Sequence, residues 1–242
     1  MTHHRANPAA NPWRTTPKSN ATLAQPAGLK RCRAAAFGRI KGFKRTRTIN
    51  PYFKPVALEH ASRLINHGPT VLVTSAHGSA RNIMAAAWSM PVEFTPPRIA
   101  IVIDKTTYTR ELIQASGVFG VCIPGATLAQ LTYAVGSESG RSVDKLAKHG
   151  LALRPGPVLG VPLLEEGCAA WLECRLIPEP HTQDTYDTCF AEVVAAAADE
   201  RIFQAGRWDF TGNNQALRTI HHLGGGHFVS AQSLPDASVL DG

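Results

Sequence analysis

The sequence predicts an α+β domain, mainly β, in which a barrel of about six strands carries inserted helices. Three observations predict it. From Pro69 onward, short runs dense in Val, Ile and Thr are separated by turn residues, the pattern of strands. Helical signals interrupt these runs without the regular strand-helix alternation of a doubly wound parallel sheet. No G-x-G-x-x-G opens a helix after a strand, which argues against a dedicated dinucleotide fold.

In chain order, Thr70 to Ala76 reads as a strand, His77-Gly78-Ser79-Ala80 as a turn, and Arg81 to Ser89 as the returning strand of a hairpin. Pro96-Pro97 stops the chain, and the nearly continuous apolar run Ile99 to Ile103 reads as a buried strand, the third before the first helix. That helix is predicted from near Thr107 through Ser116. Glu111 falls in its first turn, where it suits the macrodipole, Leu112 and Ile113 are its apolar positions, and Gly117 is its stop. Val118 to Ile123 reads as a strand, and Ala126 to Val135 and Val143 to His149 as helices, the second closed by Gly150. Ala169 to Ile177 and Cys189 to Ala197 are strands long enough to cross a barrel. Ile220 to Ala231 contains Gly224-Gly225-Gly226 and ends in a short strand. Trp88 and Trp171 are read as core residues. No repeat of 20 to 50 residues interrupts this plan.

A chain of 242 residues with 44% hydrophobic content accommodates one domain plus tails and a substantial core. Its net charge of +7 is unevenly placed. Residues 1–50 hold eleven Lys and Arg and no acid; the remainder holds fourteen bases against eighteen acids, a net of −4. Residues 1–50 therefore read as a basic leader, too poor in buriable surface to order itself, residues 51–232 as the folded domain, and 233–242 as a tail. The leader's charge suits nucleic acid or an anionic surface, or is that of a solvated tail; the second reading is preferred, with no nucleic acid as partner. No apolar run with a small-residue cleavage site marks secretion, and no segment approaches the 18 apolar residues of a membrane span, so the expected location is cytoplasmic. The leader also has the Arg-rich, acid-free composition of a transit peptide. The cysteines, Cys32, Cys122, Cys168, Cys174 and Cys189, are odd in number and lack a C-x-x-C pair, so neither a disulfide framework nor a zinc site is expected; the last four read as buried thiols.

No P-loop and no H-E-x-x-H occurs, and Gly136-Ser137-Glu138-Ser139-Gly140 places Glu where a nucleophile elbow needs Ser. What stands out is a strand ending at Asp104, followed by Lys105-Thr106-Thr107-Tyr108-Thr109-Arg110 at a helix start. Lys and Arg charge, three Thr hydroxyls and the free N–H groups of a helix terminus together suit a phosphate; an ordinary N-cap with solvated neighbours reads the same way. Thr74-Ser75 and Arg81-Asn82-Ile83-Met84-Ala85-Ala86-Ala87-Trp88 add amides, hydroxyls and small side chains, a mixture suited to the polar edge and apolar end of an isoalloxazine ring.

Taken in order with Val71-Leu72-Val73, Pro96-Pro97, Glu111-Leu112-Ile113, Gly140-Arg141-Ser142-Val143-Asp144-Lys145-Leu146, Leu172-Glu173-Cys174 and His221-His222-Leu223-Gly224-Gly225-Gly226, these stretches resemble the flavin reductase-like family of FMN-binding split barrels, flavoredoxin-like branch. The resemblance spans roughly residues 66–230 and implies an FMN-binding split β-barrel with inserted helices. It also implies a homodimer with FMN, or FAD in its place, near the subunit interface. The phosphate would lie on Lys105, Thr106, Thr107 and Thr109, and the ring against Thr74, Ser75, Asn82, Ile83, Met84 and Ala85. Lys145 occupies the family's Asp-Lys position and is either a phosphate or ribityl contact or a surface lysine. His221 and His222 are either nicotinamide or flavin contacts or structural. Neighbours on a strand point to opposite faces, so at most one reaches a shared site. The implied activity is an NAD(P)H-dependent flavin reductase feeding a monooxygenase or other acceptor, with no catalytic side chain because the flavin carries the chemistry. A flavoredoxin-like electron carrier without NAD(P)H turnover is the alternative, and a barrel that has exchanged flavin for another ligand such as haem is a third.

Overall fold

A computed structural model describes residues 50–233. The leader assigned to residues 1–50, with Cys32, lies outside the described residues apart from Asn50, and the tail assigned to 233–242 lies outside them apart from Ser233.

The strands are β1 (Phe53–Pro55), β2 (Val71–His77), β3 (Ala80–Ala86), β4 (Ser89–Phe94), β5 (Pro97–Val102), β6 (Val118–Pro124), β7 (Arg154–Pro155), β8 (Pro162–Leu163), β9 (Cys168–Ile177), β10 (Thr188–Asp199), β11 (Phe203–Gln204), β12 (Arg207–Trp208), β13 (Ile220–Gly224) and β14 (His227–Ser230). The helices are α1 (Leu58–Ala61), α2 (Tyr108–Ser116), α3 (Ala129–Ser137), α4 (Lys145–Lys148) and α5 (Pro180–Thr185). Eight strands form one antiparallel sheet in the order β3-β2-β6-β9-β10-β5-β4, with β1 also on β10. β10 is long enough to serve two neighbours on one side. Thr188 to Glu192 pair with β5, and Ala197 to Asp199 with β1. A bulge between Val193 and Ala195 bends it in between, which lets the sheet curl.

Side-chain alternation divides the apolar residues between two cores. Val71 and Val73, Phe119, Val121 and Ile123, and Leu172 and Cys174 enter the larger one. Leu72, Cys122 and Trp171 point the other way, into a second core shared with Val135, Leu146, Leu153 and Leu163. Strands β2, β6 and β9 are thus buried on both faces, which is why they read as continuous apolar runs. Glu173, fully buried on β9, faces the second core's side. Its carboxylate accepts from the N–H groups of Val158 (2.9 Å) and Leu159 (2.5 Å), and Gly156 passes so close that a Cβ there would lie 2.4 Å from the carboxylate carbon.

Several expectations need correction. The run from Arg81 to Ser89 is broken after Ala86, and Ser89–Phe94 forms a separate strand, so five strands rather than three precede α2. Pro96-Pro97 is the turn into β5, with a cis bond before Pro96, and β5 begins at Pro97 rather than Ile99. The helix predicted over Val143 to His149 shrinks to Lys145–Lys148, capped by Asp144, whose carboxylate accepts from Leu146 and Ala147 N–H. Trp88 is not a core residue: it is 74% exposed. Trp171 is, with its Nε1 donating to Glu165 at 3.1 Å. Helix α2 behaves as expected, with Thr107 as N-cap and Gly117 ending it at φ +72°. The four described cysteines are free and buried. No helix among the described residues is long and apolar enough to cross a membrane.

Arg110 is the largest fully buried side chain among the described residues. Its guanidinium donates to the carbonyls of Ile103 (2.9 Å), Gln183 (3.1 Å) and Asp187 (3.3 Å), tying the loop before α2 to the α5 segment. Arg110→Met keeps most of the stem but strips donors from buried carbonyls, and should cost about 3 kcal/mol in urea unfolding. A loss under about 1 kcal/mol would show that the strut is dispensable.

Candidate functional site

The predicted phosphate segment is less open than its residue types suggest. Asp104 accepts from both the N–H and the hydroxyl of Thr106 at 2.7 Å, and these bonds hold its carboxyl below the usual range. Thr107 caps the helix, accepting from Arg110 N–H at 3.2 Å. Lys105 donates to the Asp184 carbonyl at 2.5 Å and stands 3.8 Å from the Asp187 carboxylate. Arg110, counted by type as phosphate charge, is turned inward and is no ligand. What remains for an anion is the pair of first-turn amides, Tyr108 and Thr109, which have no partner within a helix, and the positive helix end.

Beside that turn lies a cation to which the sequence reading gave no role. Arg141 pairs with Glu111 at 2.6 Å and stands over the Tyr108 ring at 5.5 Å. It is held there because its neighbour Gly140 packs on Asn82, so tightly that a Cβ would fall 2.3 Å from the Asn82 amide oxygen. Asn82, nearly fully buried, donates through Nδ2 to the buried Thr109 hydroxyl at 2.9 Å. Asn82 on β3, Thr109 on α2 and the 139–142 loop therefore meet at one junction. The signal was in the sequence, as Gly140-Arg141 within one quoted stretch, but nothing in the spacing joined it to α2.

The predicted ring contacts do not all meet. Thr74 and Ser75 are buried on opposite faces of β2. The Thr74 hydroxyl donates to the Pro162 carbonyl at 2.5 Å, away from the junction. Ser75 pairs across the sheet with Asn82, and its hydroxyl is fully buried with no hydrogen-bond partner. Ile83 is in the second core and fully buried, backbone included, with its carbonyl accepting from Lys145, whereas Met84 and Ala85 are half-buried and Ala87 and Trp88 exposed. Lys145 is neither a surface lysine nor open to solvent: it is 3% exposed and donates to the carbonyls of Val135 (2.6 Å) and Ile83 (3.0 Å).

His221 and His222 part as strand geometry requires. His221 packs on His67, ring centres 5.6 Å apart, within a cluster that includes Trp208 and Phe210. His222 is exposed beside Phe228. A cavity of about 630 Å³ lies elsewhere, walled by Leu128, Leu131, His149, Leu151 and Leu164 among others, and contains none of the predicted site residues.

The flavin reductase like domain family matches residues 63–214, and the chain belongs to that family. It is 58% identical over 181 residues to the uncharacterised protein YddH of Escherichia coli K12, spanning 74% of this chain and 95% of that one. Among solved structures, the FMN-binding domain of a flavin reductase-like enzyme from Shewanella baltica is 39% identical with a TM-score of 0.73, covering 78% of this chain and all of the other. Flavoredoxin of Desulfovibrio vulgaris is 25% identical with a TM-score of 0.61, covering 72% and 92%. The fold is accordingly the FMN-binding split β-barrel expected from the residue stretches.

The His67 cluster gives a pH dependence. Burial, then the neighbouring His221, pushes the His67 imidazole down from 6.5 to about 4, while its Nε2 and the Thr219 hydroxyl share a 2.8 Å hydrogen bond. The unfolded chain takes up a proton near pH 6.5 that the folded chain refuses until about pH 4. Stability is therefore full above the higher value and falls as pH drops through the window, by up to about 1.4 kcal/mol per pH unit from this group. Urea midpoints at pH 7 and pH 5 should show the decline, and His67→Gln should flatten it. An unchanged slope in that variant assigns the acid sensitivity elsewhere.

Proposed function

We propose that this chain binds FMN and acts as an NAD(P)H-dependent flavin reductase. The observation that carries the reading is the junction of Asn82, Thr109 and Gly140: three stretches far apart in sequence, each quoted for the family resemblance, close on one another at the start of α2. The 39% identity to an FMN-binding domain supports the same cofactor.

The residues fit the group. The amides of Tyr108 and Thr109, with Arg141 at the rim, would hold the phosphate; Lys105 would join them only by leaving Asp184 and Asp187. Arg141 would exchange Glu111 for it, a stronger and doubly charged acceptor. The stretch from Met84 to Ala87, half-buried at Met84 and Ala85 and exposed at Ala87, without bulky side chains apart from Met84, would lie against the ring, and the unpartnered Ser75 hydroxyl is a polar group awaiting an acceptor or donor. Once bound, the flavin supplies the redox chemistry, taking a hydride from reduced nicotinamide. The chain needs no strong acid or base; it orients the ring and leaves one face accessible.

The purified protein should be yellow or take up added FMN, and NADH or NADPH should bleach its absorbance near 450 nm. FMN uptake without bleaching by either donor favours a flavoredoxin-like carrier; no uptake refutes both. Arg141→Ala should weaken FMN binding about tenfold with little change in stability, as for one exposed charge-assisted phosphate contact. Equal affinity would remove Arg141 from the site.

The implied homodimer has a candidate surface. Strand β4 is a sheet edge, paired among the described residues with β5 alone, and Trp88 immediately before it and Met90, Val92 and Phe94 along it are 74%, 57%, 42% and 67% exposed. An open edge carrying four large apolar side chains is a hazard unless covered, and a second copy of the chain supplies the same apolar strip in return. Phe94→Glu should shift the protein from dimer to monomer in analytical ultracentrifugation. A wild-type chain that sediments as a monomer would overturn the dimer.

A further inference from the structure

The cavity of about 630 Å³ beside α3 has walls that are each pinned by their own contacts. Helix α3 forms one wall, with Leu131 and Ala134 a helical turn apart. The segment that follows α4, with His149 and Leu151, forms a second, and the buried Leu164, ahead of β9, belongs to a third. Lys145 joins the first two, because its ammonium ties α4 to the Val135 carbonyl of α3 at 2.6 Å. Leu164 donates its N–H to the Cys122 sulfur at 3.3 Å. Leu128 rests on Gly167, which has φ +76° and where a Cβ would fall 2.8 Å from the leucine Cγ. Walls held in this way exist before a ligand arrives, so no binding energy is lost in assembling them. The volume is within the range of about 300–1,000 Å³ usual for small organic ligands.

One polar side chain in this lining has a fixed direction. His149 Nε2 lies 3.3 Å from the Glu138 carboxylate, which is also held by Lys148. A carboxylate only accepts, so Nε2 carries the proton, and in the neutral ring Nδ1 is left as an acceptor. Nδ1 has no partner among the described residues. Neither Lys nor Arg lines the cavity, so an anion would meet no countercharge there.

We propose that this cavity is a second binding site, for a small uncharged molecule with an apolar body and a hydroxyl group. The body lies against Leu128, Leu131, Ala134, Leu151 and Leu164, and the hydroxyl donates to His149 Nδ1. Glu138 holds the imidazole in the tautomer that can accept. The site is independent of the FMN reading, since none of Asn82, Thr109 and Gly140 lines it.

The probe is 2-naphthol, an apolar bicycle with one hydroxyl, and its control is 2-methoxynaphthalene, which lacks the donor. In isothermal titration calorimetry of the full chain, 2-naphthol should bind about fivefold more tightly than the ether, the worth of one neutral hydrogen bond. His149→Phe should bring the two to the same affinity, and Ala134→Phe, which puts a ring into the cavity from α3, should abolish binding of both. Saturating FMN should leave the 2-naphthol titration unchanged. A wild-type chain that binds neither probe, or both equally, overturns the inference without recourse to any variant. Displacement of 2-naphthol by FMN overturns it as well, by making the cavity part of a flavin site, and undiminished binding by Ala134→Phe does so by placing the probe elsewhere.

Discussion

Strands β2, β6 and β9 are covered on both faces, and the rest of the structure follows from that constraint. A strand with water on one side can place a polar residue there at no cost, but one between two cores must find a partner for each polar group it carries. Thr74 reaches the Pro162 carbonyl, and Glu173 takes two amides of the 156–160 turn. Between these two, β6 carries Gly120, in register with both Thr74 and Glu173. A Cβ there would lie 2.3 Å from the Thr74 hydroxyl and 3.0 Å from the Pro162 carbonyl. The loops from 151 to 164 are therefore fixed by the polar atoms of the strands they cover, and they in turn close the second core.

The same rule decides what the candidate site can offer. Residues that look like ligands by type, Asn82, Thr109, Arg110 and Lys145, are all spent inside the protein, on one another or on carbonyls. They build the walls. What is left nearer the surface is Tyr108 at the start of α2 and Met84, Ala85 and Ala87 at and just past the end of β3, the first three half-buried and Ala87 exposed. On the proposed reading, a flavin held chiefly through main-chain groups would need those groups held rigidly, and buried side-chain struts supply that rigidity better than solvated ones.

Helix α2 was legible to within a residue at its start and to the residue at its end, because an N-cap Thr and a left-handed Gly mark its ends with backbone chemistry that is local. The long strands were legible because an apolar run of seven to ten residues between turns has few other uses. What could not be read were features that depend on partners distant in sequence. Trp88 passes for core because its type is usually buried, and its exposure follows from β4 being an edge. Lys145 passes for surface because lysine usually is, and its burial follows from α4 packing on β3. The His221-His222 pair lies between these cases: strand periodicity separates the two rings, but that His221 meets His67 depends on the hairpin returning to the segment before β2.

Arg110 and Arg141 show how far residue type misleads when the fold is unknown. Both lie near the start of α2, and both would serve a phosphate equally well on charge. Arg110, at the third position of the helix, is directed into the protein by the same turn that aims Thr109 at Asn82. Arg141, thirty residues from Glu111 in the chain, is brought to the outer side of that turn by a glycine that can approach Asn82 where no other residue could. The positive charge available to a ligand is thus set by the packing of one glycine on one amide. A side chain at position 140 would displace Arg141 from the helix end and press on Asn82, the residue that joins β3 to α2.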